Sequence, residues 1–293
     1  MLDQLANGIL LGAIISITSI GLSLIFSVTN TLNFAHGEMV TLGGMLAVFF
    51  SSAALGLPLW LALPAAVLSG VVLGLLLDLS VFKPMRRAGV GGITMLVTTL
   101  GLSLILRYVI LAVAGPDPEA LPLPAQRVGS YLGLALTPLG AVVIIATLVV
   151  LTAVALFLLK STTGTSMRAV SNNRTLAAAS GINVERVIFT TWGLGGGLAA
   201  LGGVMLVLTQ LVYWDMGAHL LLLMFAGIIV GGLGSAFGAM AGGFLVGIVT
   251  QLSVGLPYIR DHTDLKLAVA LGVMTVVLLA RPQGILGRKA RLS

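Results

Sequence analysis

Apolar residues run through this chain in long uninterrupted blocks. They fall at about 5–28, 39–54, 58–82, 92–114 and 138–159 in the first half, and at about 187–212, 220–230, 237–254 and 265–280 in the second. Most approach the roughly 20 residues that a helix needs to cross a bilayer. The runs are continuous rather than alternating, which disfavours a β-barrel. Lipid offers backbone groups no partner, so helix is the default for each block. The pattern predicts an all-α fold: one polytopic transmembrane bundle over residues 1–293, with about 8–9 membrane segments.

Two polar breaks interrupt this pattern. "NFAHGE", residues 33–38, gathers Asn33, His36 and Glu38 between two apolar runs. "GGLGSAFGA", residues 231–239, follows a stretch from His219 to Val230 that reaches only about 18 Å as a helix, although a start near Met216 would lengthen it. The second break is therefore expected inside the membrane. Such breaks are tolerated where they line a cavity or are buried in protein, and in transporters they mark the substrate region in corresponding positions of two halves. Asn33, His36 and Glu38 are thus expected to face Gly231, Gly232, Gly234 and Ser235 across a narrow polar constriction; the alternative is two ordinary interhelical turns. For Glu38 two roles stay open, a first-turn carboxylate favoured by the helix dipole or a group facing a polar cavity.

Charge fixes the orientation. The chain is 58% hydrophobic and 8% charged, with a net charge of +6, against about a quarter charged in soluble domains. Eleven of its fifteen Lys and Arg residues fall in three tracts: Lys83, Arg86 and Arg87; Lys160, Arg168, Arg174 and Arg186; and Arg281, Arg288, Lys289 and Arg291. Short basic loops between apolar spans mark the cytoplasmic side rather than a nucleic-acid partner. Asp117, Glu119, Arg127, Asp215, Asp261 and Asp264 then lie outside, and so does the N-terminus if the first three spans all cross. No Lys or Arg precedes Lys83, so the first run is expected to be retained as a helix. Within the spans, Arg107 is placed to snorkel to the headgroups, and Asp78 to lie at the interface near Lys83.

The outer loop "GPDPEALPLPAQRVGSYLGLALTP" carries five prolines, which favour an extended or turning path. It suits either a lid or docking surface, or a plain connector. The inner loop, 160–186, is punctuated like helices. Thr175 is placed to cap the stretch LAAAS, Gly181 to end it in the left-handed conformation, and Asn183 to cap the next span. The small face of Ala177, Ala178 and Ala179 suits a groove on another protein.

Several chemistries are missing. There is no G-x-x-x-x-G-K-[ST] loop to bind ATP, and neither H-E-x-x-H nor G-x-S-x-G occurs. With no cysteine there is no thiolate metal site, and His36, His219 and His262 are too far apart in sequence to suggest a shared metal. No cofactor is expected. "GLGGGLAALGG", 193–203, follows no strand, so it reads as close helix packing.

NFAHG, the "SGIN" loop, GGLGS and "RPQG", in that order, form a specific signature. In it the chain closely resembles the permease subunits of branched-chain amino-acid type ABC importers over nearly its whole length. The resemblance implies the ABC importer permease fold in a bacterial inner membrane and alternating access beside a second, related permease. It also implies two ATP-binding cassette subunits beneath, an extracytoplasmic solute-binding protein outside and a lipid surround. In that family the inner loop carries the helix that couples to the ATPase, here roughly Arg168 to Gly181 and including Arg174, Ala177 and Ala178. The family also carries urea, short amides and other amino acids. A free-standing secondary transporter is the rival reading; it would need mid-membrane ionisable groups, for which the chain offers Glu38, His36 and Arg107.

Overall fold

The structure, a computed structural model, describes residues 2–52, 55–124, 128–131, 134–255, 259 and 265–287. Arg127, Asp261, His262, Asp264, Arg288, Lys289 and Arg291 lie outside the described residues. Helices α1 (Leu2–Thr29), α2 (Ala35–Ser51) and α3 (Leu59–Leu77) come first. A π-helical turn (Asp78–Phe82) carries α3 directly into α4 (Lys83–Arg87), so the third span runs past Phe82, where its apolar block ends. Helix α5 (Gly92–Ala114) leads through a short antiparallel hairpin, β1 (Gly129–Tyr131) and β2 (Leu134–Leu136), to α6 (Pro138–Lys160). Two short helices follow, α7 (Thr162–Asn172) and α8 (Arg174–Ala179). The second half is α9 (Val184–Val207), α10 (Met216–Gly231), α11 (Ala236–Ser253) and α12 (Leu265–Ala280). Among the described residues, six helices are long and apolar enough to span a bilayer, and α10 and α12 are shorter apolar helices.

Helices α1 and α9 form the centre and are buried along most of their length, whereas α3, α5 and α6 expose most of theirs. Small residues allow this. A Cβ added to Gly196 of α9 would overlap the Gly70 carbonyl of α3, and one added to Gly203 would overlap that of Val40 in α2. Hydroxyls add short-range glue: Ser16 donates to the Met240 carbonyl at 2.9 Å, tying α1 to α11. Trp192 is buried on α9 and stacks on Phe82 of the π turn, with ring centroids 4.5 Å apart.

The described residues of the three basic tracts gather at one end. Arg86 bonds Glu185 at the start of α9, and Arg168 shares a cleft with Gly234 and Leu286. The proline-rich loop lies at the other end, where Glu119 pairs in an isolated bridge with Val212 beyond α9.

Candidate functional site

The first break is a helix that starts deep in the bundle. At the end of α1, Asn30 takes a left-handed φ of +55° and the chain turns back, a conformation Asn tolerates better than most residues. The Leu32 carbonyl accepts from Thr99 of α5. His36, fully buried, bonds the Thr18 carbonyl of α1 through Nε2 at 3.0 Å. Thr18 lies eleven residues before the end of α1, about 17 Å of rise. Residues 30–34 therefore re-enter the bundle, and α2 begins near mid-depth.

Glu38 takes the first of its two expected roles, and its carboxylate is met by a cation. It stands in the first turn of α2, and its buried carboxylate is held by α5. Its Oε1 accepts from Ser103 at 3.0 Å and from Arg107 Nε at 3.0 Å and Nη2 at 2.7 Å. Arg107 thus turns inward to an ion pair instead of snorkelling outward. Asn33 is buried and lines a small cavity with Thr29, Arg86, Thr99 and Trp192; both its side-chain polar atoms lack a partner.

The second break lies at another depth than His36. A Cβ added to Gly234 would meet Phe26 and Ser27 at 3.8 Å, in the last turns of α1. That is about 12 Å along α1 from Thr18. His36 and the second break thus meet α1 at different levels, whereas Asn33, beside Ile25 and Thr29, lies near the level of Gly234. The Ser235 hydroxyl caps α11, accepting from the Gly238 amide at 3.0 Å. The last carbonyls of α10, which a helix end leaves without partners, are met by the C-terminal segment. Ile285 N–H donates to Val230 and Leu286 N–H to Gly231, at 2.8 and 2.9 Å. Gly232, with φ +113°, lets the chain turn beside this segment. Gly234 and Ser235 open onto a cleft of about 380 Å³ that reaches Arg168 and Ser171 of α7.

The loop between α6 and α9 is two capped helices where one was expected. Asn173, not Thr175, caps α8, accepting from the Leu176 amide at 2.9 Å, because a capping residue must stand outside the first helical turn. Gly181 is left-handed, φ +83°, and Asn183 caps α9. Ala177 is buried while Ala178 and Ala179 are exposed. Leu176 is 64% exposed at the same tip, an apolar position that the small-residue reading passed over. Arg174 bonds Glu185 at 3.2 Å; Glu185 also bonds Arg86, which holds the fully buried Asp78 at 2.7 Å. Asp78 is therefore buried in protein near the basic end. His219, exposed, pairs with Asp215, and no metal-binding cluster occurs among the described residues.

This arrangement, a long helix followed by a half-depth helix and closed by a capped helical strap at a basic end, can be set beside known proteins. Residues 4–278 match the family described as "Branched-chain amino acid transport system / permease component". The chain belongs to this family. It is 29% identical over 304 residues to the high-affinity branched-chain amino acid transport system permease protein LivH of Escherichia coli, covering 98% of this chain and 96% of that one. Over 300 residues it is 29% identical to the corresponding permease protein BraD of Pseudomonas aeruginosa, with 98% and 96% covered. A probable branched-chain amino acid transport permease protein LivH of Methanocaldococcus jannaschii is 30% identical over 297 residues, with 97% and 91% covered. PsaBC from Streptococcus pneumoniae, solved in complex with a Fab, shares the fold: the TM-score is 0.51 at 13% identity, over 94% of this chain and 91% of that one. The chain is an integral membrane permease component, and its motifs NFAHGE, GGLGS and RPQG are structural features of one bundle.

Proposed function

We propose that this permease component works in an ATP-driven importer of branched-chain or related amino acids in a bacterial inner membrane. It pairs with a second, related permease. Two ATP-binding cassette subunits dock at the basic end, and an extracytoplasmic binding protein delivers solute at the other. The family match over nearly the whole chain carries this reading. The capped strap supports the docking: an exposed Leu176 with Ala178 and Ala179 offers a small apolar tip, flanked by Arg168 and Arg174 and ended by Gly181. On this reading His36 and Glu38 shape the route at mid-depth, and Asn33, beside Thr29 and Arg86, nearer the basic end. Gly231, Gly232, Gly234 and Ser235 shape it nearer the basic end, so solute passes two successive levels. Affinity purification from its host, followed by reconstitution, tests the proposal. The expected result is co-purification of an ATPase and a second permease, with leucine uptake that needs ATP and the binding protein. Uptake by this chain alone in liposomes overturns it.

A further inference from the structure

We infer that Arg107 is an anion-contact point on the translocation route, where its guanidinium takes the carboxylate of a small zwitterionic solute. The inference rests on the importer reading above and adds the residue that touches solute.

Three observations lead to it. First, the ion pair is open. A closed guanidinium–carboxylate bridge is bidentate, using two nitrogens and two oxygens. Here Nε, Nη2 and the Ser103 hydroxyl all converge on Oε1 of Glu38. Oε2 is buried without a partner, and the bonds to Oε1 use Nε and Nη2 of the guanidinium. The pair therefore leaves Nη1 outside it.

Second, the depth is wrong for a lipid-facing charge. Arg107 is fifteen residues into α5, about 22 Å from Gly92 and about 10 Å from Ala114. Its side chain bends to Glu38 and Ser103, and Ser103 stands near the middle of the helix. Yet 24% of that side chain is exposed, on a helix whose other exposed residues include Val97, Leu104, Ile105 and Val109. A charge at such depth is expensive against hydrocarbon and faces water or protein instead. The flank of α5 that bears Arg107 is then turned to an aqueous route.

Third, the guanidinium is held in place. Glu38 is itself fixed in the first turn of α2, and the neighbouring Tyr108 ring lies 6.4 Å from that of Trp214. A pre-positioned planar donor fits a carboxylate, the anionic half shared by all amino acids, whatever their side chains. Discrimination among side chains then falls to other groups.

The chain has no cysteine, so Arg107→Cys introduces a single thiol. The full importer carrying it, with its binding protein, is assayed for radiolabelled leucine uptake and treated with methanethiosulfonate reagents. Uptake is expected to fall by about tenfold, what one charge-assisted hydrogen bond is worth. The thiol should react in at least one nucleotide state. The ethylammonium reagent, which returns a positive charge, should restore part of the uptake, and the ethylsulfonate reagent should not. Ile105→Cys, exposed on the opposite face of α5, should stay unreactive. A thiol at 107 that is unreactive in every state, equal rescue by both reagents or normal uptake overturns the inference. If Arg107→Cys fails to assemble, Arg107→Lys decides: a KM for leucine raised severalfold supports it and an unchanged KM overturns it. Absence of uptake by the wild-type importer counts against the importer reading instead, and the reactivity of the two thiols is read without it.

Discussion

Gly181 shows how one residue can be tested for conformation alone. Its φ is +83°, and nothing lies within 4 Å of an added Cβ, so a substitution meets backbone strain and no clash. The left-handed region costs an L-residue about 1–2 kcal/mol, more for β-branched ones and less for Asn. Gly181→Val is therefore expected to lower leucine-stimulated ATP hydrolysis of the assembled importer severalfold, while Gly181→Asn keeps most of it. Equal activities in the two variants would show that the turn at the end of α8 does not set the strap. This residue was legible in the sequence, because a glycine after a short polar helix has few other uses. The cap was not: Asn173 and Thr175 both qualify by type, and only the observed start of α8 separates them.

At the scale of an element, the π turn that follows α3 carries Asp78 into a buried ion pair that the sequence does not show. The apolar block ends at Phe82, which places Asp78 near an interface. The helix instead continues to Arg87, and Arg86 folds back to the carboxylate. Asp78 is fully buried and the Arg86 side chain only 6% exposed, whereas Glu185 is 35% exposed. Removing one partner of a buried pair costs about 3–5 kcal/mol, and an exposed pair is worth about 1 kcal/mol or less. Arg86→Ala is thus expected to lower the Tm of the purified protein far more than Glu185→Ala. The double change Asp78→Asn with Arg86→Met should recover much of the loss. Matching Tm shifts for the two single variants would mean that Asp78 is neutral or finds another cation. The pairing of α10 with the C-terminal segment was equally hidden. GGLGS and RPQG read as separate motifs about fifty residues apart, and the bonds from Ile285 and Leu286 to the end of α10 are long-range contacts that no local pattern encodes.

For the whole molecule, the number of crossings depends on how the first break is counted. The apolar pattern gives the helices well, because burial in lipid imposes length and continuity. It leaves open whether residues 30–56 cross or re-enter, since a half-depth helix and a full span differ by only a few turns. The structure divides the work: residues 30–34 re-enter from the end of α1 to mid-depth, and α2 completes the passage to the far end, as its contacts with Met216 and Val212 through Gly44 place it. Segment and helix together make one crossing, so α1 begins at the end opposite the basic tracts. With the basic end in the cytoplasm, residue 2 and the proline-rich loop share the outer side. The absence of native cysteine lets this be checked with single thiols. Leu2→Cys and Ala120→Cys, both exposed, are expected to label with an impermeant maleimide added to spheroplasts. Arg87→Cys and Arg174→Cys should label only in inverted vesicles. Were residue 2 to label with residue 174, the re-entrant segment would not be part of a crossing, and α2 would have to return to the side from which it came.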